Sequence, residues 1–135
     1  MANLGAGIHA LSPPIATDEL WDSWVTLRHW AVAAEHGPLF ADLETRARMK
    51  PEAIWEVENG LRLSAMDISR AGSIRSHWYH VLSGLFETYD VLALPSAQVW
   101  PFPAEWDWPR QIDGTAMDTY HRWMEVVVPV SLAGV

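Results

Sequence analysis

The chain has 135 residues, half of them apolar and 19% charged, which excludes a disordered chain and suits one domain with a real core. Seventeen acids against nine bases leave a formal charge of −8. A field of that sign repels phosphate backbones and anionic membranes, so no nucleic acid and no membrane is expected as a partner. The absence of cysteine removes disulfides, thiolate metal sites and cysteine nucleophiles together, and a cytoplasmic setting is the expectation.

The N-terminal stretch from Met1 to Ile15 has no basic region ahead of an apolar one and does not read as a signal peptide. Ile8 to Leu11 suits a short strand, ended by Ser12-Pro13-Pro14. A first helix is predicted from Thr17 or Asp18, with Asp18, Glu19 and Asp22 placed favourably for its dipole and Leu20, Trp24, Leu27 and Ala31 at helical spacing. His36-Gly37-Pro38 is expected to stop it, and a shorter helix to run from Leu39 to Arg48. Pro51 suits the first position of a third helix with Ile54, Val57 and Leu61 buried. Ser64 and Asp67 form a capping box that opens the longest helix, whose stripe is Ile68, Ala71, Trp78, Leu82 and Leu85. Arg75 sits at the edge of that stripe and reads as a stem on the core with its head in water.

Asp90-Val91-Leu92-Ala93-Leu94-Pro95 is a continuous apolar run, which predicts a strand buried on both faces of a mostly parallel sheet. Ser96 to Asp113, rich in proline and tryptophan, reads as an ordered loop. Thr115 and Asp118 form a second box, with Tyr120, Trp123, Met124 and Val127 behind it at helical spacing. The tail from Val126 to Val135 is apolar but interrupted, and far short of the ~20 residues that span a bilayer. Nine tryptophans, each worth roughly 150–250 Å² of burial, imply a generous core or a large aromatic surface.

Neither G-x-S-x-G nor S-x-x-K occurs, and the single lysine, Lys50, reads as part of a solvated turn. His77 with His80 and His121 with Glu125 could each put two metal ligands on one helical face, but nothing supplies a third, so surface or interface histidines are expected and no metal. Glu105 and Asp107 alternate with Trp106 and Trp108. Carboxylates that close in the chain do not straddle a glycosidic bond, so a loop anchored by its tryptophans is the expectation.

Two stretches carry a family resemblance. Leu85-Phe86-Glu87-Thr88-Tyr89-Asp90-Val91-Leu92-Ala93-Leu94-Pro95-Ser96 resembles the amidase-signature pattern of a helix end, an aromatic-aspartate pair, an apolar strand, a proline and a small hydroxyl residue. Pro129-Val130-Ser131-Leu132-Ala133-Gly134-Val135 is similar to that family's P-A-N-L-A-G-L/V stretch, with Ser131 in place of asparagine and Val130 in place of alanine. Leu4-Gly5-Ala6-Gly7-Ile8 and Ser64-Ala65-Met66-Asp67 add weaker support.

The resemblance implies an α/β fold: a helix-rich partial domain, residues 1–135, of a mixed-sheet amidase core, with about two short strands and four to five helices. It implies serine-dependent hydrolysis of amides without a cofactor, by two serines and a lysine that no position here matches. The segment would begin where the family's preceding helix finishes and stop within the L-A-G-V stretch. It would supply scaffold and a substrate-pocket loop, with Gln98, Trp100, Trp106, Trp108 and Trp123 as the substrate-binding residues and a small-molecule amide as substrate once the missing half is joined. Alone it is expected to be inactive, and to self-associate or pair with that half. The alternative is a free-standing helical module for interaction, or for binding an aromatic or sugar ligand, with no catalysis.

Overall fold

Asp18 and Glu19 occupy the first turn of helix α1, Thr17–Ala41, where negative charge favours the helix dipole. The computed structural model describes residues 5–12 and 14–134; Leu4, Pro13 and Val135, each part of a sequence motif, lie outside them. The expected stop at His36-Gly37-Pro38 is not observed, and α1 runs through Pro38 to Ala41. In the last turn a proline forfeits only the bond to the carbonyl of Ala34, an exposed residue whose carbonyl can turn to water. The second helix, α2, is correspondingly short, Leu43–Arg46, because Asp42 caps it by accepting from the Thr45 backbone N–H at 2.8 Å.

Helix α3, Pro51–Gly60, starts with its proline in the first turn as expected. Its buried face differs from the predicted one: Val57 is fully buried, Ile54 is half-buried, Leu61 is exposed, and the second buried residue is Glu56. Helix α4, Ala65–Phe86, opens on the predicted capping box, with both the Ser64 and the Asp67 side chains engaged. Ala71, Trp78 and Leu82 are its buried positions.

After α4 the expectations and the structure diverge. Val91–Leu94 forms no strand among the described residues; Val91 is 71% exposed, and only Leu92 packs against the core. Ile8–Leu11 forms no strand either, and both its ends are exposed. A strand buried on both faces requires neighbours, and the described residues contain one sheet, a hairpin of β1, Gln111–Ile112, and β2, Thr115–Ala116. Its turn is Asp113-Gly114, with φ of 46° and 79°; two positive φ angles in succession suit the right-handed twist of a two-residue hairpin. Thr115 therefore lies in β2 rather than capping a helix. The chain then enters a 3₁₀ segment, Arg122–Val127, kinked at Met124, and passes into α5, Val128–Ala133, closed by Gly134 at φ 75°.

The molecule is thus helix-rich, with five α-helices and one two-stranded antiparallel hairpin among the described residues. The α1 helix packs against each of the other four. One apolar core joins Ile15, Leu20, Trp78, Leu82 and Leu132, and Trp78 also ties α4 to α5 by donating from Nε1 to the Pro129 carbonyl at 2.7 Å. Among the described residues no helix is long and apolar enough to cross a membrane.

Candidate functional site

Glu56 is 1% exposed, yet it carries the chain's most heavily used carboxylate. Ala53, Glu56, Val57 and Gly60 share the face of α3 that meets α1, and the two small residues let the helices come close. At Gly60 an added Cβ would lie 2.2 Å from the His29 carbonyl oxygen. That approach brings Arg28 and His29 of α1 onto the carboxylate, and the turn after β2 adds Tyr120 and His121.

Arg28 Nε donates to Oε1 at 2.7 Å, the Tyr120 hydroxyl donates to Oε1 at 2.5 Å and His121 Nε2 donates at 3.1 Å; His29 Nδ1 donates to Oε2 at 2.5 Å. An ionised carboxylate only accepts, so it assigns the proton to the facing nitrogen of each imidazole. Thr119 Oγ1 sits 3.0 Å from the other nitrogen of His121, and Arg28 Nη2 donates to the Tyr120 oxygen at 3.0 Å. Burial works to raise the Glu56 pKa, but hydrogen bonds from His121, His29, Tyr120 and Arg28 outweigh it and hold the carboxyl far below the usual glutamate range. Burial, and next the bond to Glu56, push the Tyr120 hydroxyl up to about 12. Trp21, Trp24 and Trp55 pack their rings around His121, which is itself fully buried.

Such a cluster can clamp three distant parts of the chain. Glu56 and His121 are closed to solvent, so the cluster reaches the surface only through Arg28 and Tyr120. Among the described residues no serine hydroxyl is hydrogen-bonded to a histidine, and no three metal-ligating side chains are gathered for an ion. His77 and His80 are exposed, and Glu125 pairs with Arg122 instead of joining His121. Lys50, Ser96 and Ser131 are exposed, whereas Ser23 is buried and donates to the Ala71 carbonyl at 2.8 Å.

Beside the cluster lies a shallow groove of ≈ 250 Å³ lined by Trp55, Trp108, Tyr120, Arg110 and Asp118 among others. Arg110 lies 3.7 Å over the Trp108 ring. Of the expected substrate-binding residues, Trp108 alone lines this groove. Trp123 meets Phe102 edge-on at 5.5 Å, and Phe102 stacks with the half-exposed Trp106 at 6.4 Å. Trp100 stands 88% exposed. Gln98 is already engaged: its amide donates to the Arg122 carbonyl at 3.0 Å and accepts from the Val126 N–H at 2.9 Å, pinning the loop to the 3₁₀ segment. Glu105 and Asp107 point into solvent. The Arg28, His29, Glu56, Tyr120 and His121 cluster is not anticipated from the sequence; its signal is an acid on the same helical face as Ala53, Val57 and Gly60.

Fold and site together define a helix-rich structure knit by a buried ionic centre, with aromatic side chains on its surface. No family model, curated protein or solved structure matches the chain.

Proposed function

We propose that this chain is a segment of a serine-dependent amide hydrolase, supplying scaffold and pocket wall while the nucleophile and base come from another part of the enzyme. The observation that carries the reading is the Leu85–Ser96 stretch, a helix end passing into Val91–Leu94. That run is apolar and, apart from Leu92, exposed, and its backbone takes part in no hydrogen bond among the described residues, as suits a segment whose sheet partners lie elsewhere. The Pro129–Val135 resemblance supports the same family. Trp106 and Trp108, with Trp100 and Trp123, fit the apolar walls of a substrate pocket, and the pinned Gln98 serves to hold the loop rather than to contact the amide.

The test has two arms. The chain alone should release no ammonia from a panel of aryl and alkyl amides, and turnover abolished by Ser96→Ala or Ser131→Ala would overturn the reading. Co-expressed with a serine- and lysine-bearing amidase half, Trp100→Ala or Trp106→Ala should shift KM between bulky and small amides while kcat for the best substrate stays within about tenfold. Loss of kcat for every amide, in a complex that still forms, would instead put these side chains in the chemistry.

A second reading rests on the exposed Trp100 and on the Phe102–Trp106 stack, exposed aromatic rings of the kind that bind sugars or aromatic ligands without catalysis. Saturable binding of oligosaccharides by the chain, lost in Trp106→Ala, would favour it.

A further inference from the structure

A second groove, of ≈ 280 Å³, runs between α1, α4 and α5 and shares no residue with the first. Its floor comes from one face of α1: Trp24, Leu27, Arg28 and Val32, at the spacing that aligns side chains along a helix. Leu132 of α5 closes one side and Arg75 of α4 lines the other. The groove therefore combines apolar side chains of α1 with two arginines, in a protein whose formal charge is −8. Among the described residues no acidic side chain lines it.

The two arginines are not equivalent. Arg28 uses Nε on Glu56 and Nη2 on Tyr120, and its Nη1 enters no hydrogen bond among the described residues. Arg75 forms neither a hydrogen bond nor an ion pair through its side chain among the described residues. Glu56 already neutralises Arg28, so the groove presents one uncompensated positive charge, that of Arg75, together with a spare donor from Arg28. Guanidinium donors match the two oxygens of a carboxylate, and the apolar side chains beside them give an apolar ligand body a surface to cover.

We propose that this groove binds a small organic monocarboxylate with an apolar body, the carboxylate between Arg75 and Arg28 Nη1 and the body over Trp24, Leu27 and Val32. One carboxylate neutralises that single positive charge, whereas a dianion such as a phosphate monoester would leave one negative charge uncompensated over apolar side chains in a protein of formal charge −8. The inference rests on the groove alone and holds whether or not the chain belongs to an amide hydrolase.

Isothermal titration of the full chain tests it, with 4-phenylbutyrate as probe, 4-phenylbutyramide as the neutral isostere and phenyl phosphate as the dianion. The carboxylate should bind with one site, and the amide and the phosphate at least tenfold more weakly. Arg75→Gln should weaken the carboxylate roughly tenfold or more, the loss expected for a charge-assisted hydrogen bond, and Arg75→Lys should restore part of it. Arg75 is exposed, so its replacement leaves the helices intact, which circular dichroism verifies. Equal affinity for acid and amide, tighter binding of phenyl phosphate, unchanged affinity in Arg75→Gln, or no heat up to ~10 mM probe would each overturn the proposal.

Discussion

Replacing Glu56 by Gln removes one oxygen and one charge and leaves the side chain's shape almost unchanged. In the native protein four donors converge on two oxygens: Arg28, Tyr120 and His121 on Oε1 and His29 on Oε2. The amide can keep its oxygen toward the three donors only by turning its NH₂ toward His29 Nδ1, so His29 must shift its proton to the other nitrogen or break contact. Arg28 meanwhile loses its counter-charge. Removing one member of a buried ion pair costs about 3–5 kcal/mol; the Arg28 side chain is 39% exposed, so water screens part of that loss and the low end, about 3 kcal/mol, applies. For a chain of this length that lowers Tm by roughly 10 °C.

Urea unfolding followed by circular dichroism should show the midpoint falling with an unchanged slope. Acid titration supplies the second readout. A carboxyl whose folded pKa lies below its ordinary value of 4.5 contributes stability that is full above 4.5 and drains away as pH falls toward the folded value. The stability gap between wild type and Glu56→Gln should therefore be widest near neutrality and narrow steadily below pH 4.5. A variant within about 0.5 kcal/mol of wild type, the range of ordinary surface changes, or a gap independent of pH, refutes the reasoning.

Gly60→Ala gains helix propensity of about 1 kcal/mol, but its Cβ would meet the His29 carbonyl oxygen at 2.2 Å and the Ala33 Cβ at 2.5 Å, so α3 must move off α1. The clash wins, and calorimetry should record a net loss of about 1–3 kcal/mol. Trp78→Phe should lose about 1–3 kcal/mol in chemical denaturation, because the Pro129 carbonyl forfeits its indole donor. Gln98→Leu unpins the loop from Arg122 and Val126, and trypsin should then cut at Arg110 faster while the helical signal persists. Unchanged cleavage would show that the loop is held by its aromatic contacts instead.

Features set by neighbouring residues are legible from sequence. The Ser64–Asp67 box, Pro51 at the start of α3 and the start of α1 depend on side chains within three or four residues of the backbone groups they serve. The apolar run Val91–Leu94 has the makeup of a buried strand, but burial needs a partner surface that the run itself does not encode. The hairpin around Asp113-Gly114 is missed because its strands are two residues each, too short for alternation to register. Glu56 is hidden for a different reason. A hydrophobic count scores an acid as solvent-facing, and only the arrival of Arg28, His29, Tyr120 and His121 from elsewhere reverses that preference. Of the candidate binding residues, Trp100 and Trp106 are exposed rather than anchoring the loop as expected, and the engagement of both ends of Gln98 depends on a segment more than twenty residues further along.

The ionic centre also sets a schedule for synthesis. Arg28 and Tyr120 are 92 residues apart, and His121 is 65 residues beyond Glu56. At about 5–20 residues per second, roughly 5–18 s separate the translation of Arg28 from that of Tyr120. During that interval α1 and α3 can approach each other, but Glu56 has only two of its four donors. Nascent chains halted before Tyr120 should therefore hold α3 loosely and remain open to proteases, and the cluster should lock only once Tyr120 and His121 have left the ribosome.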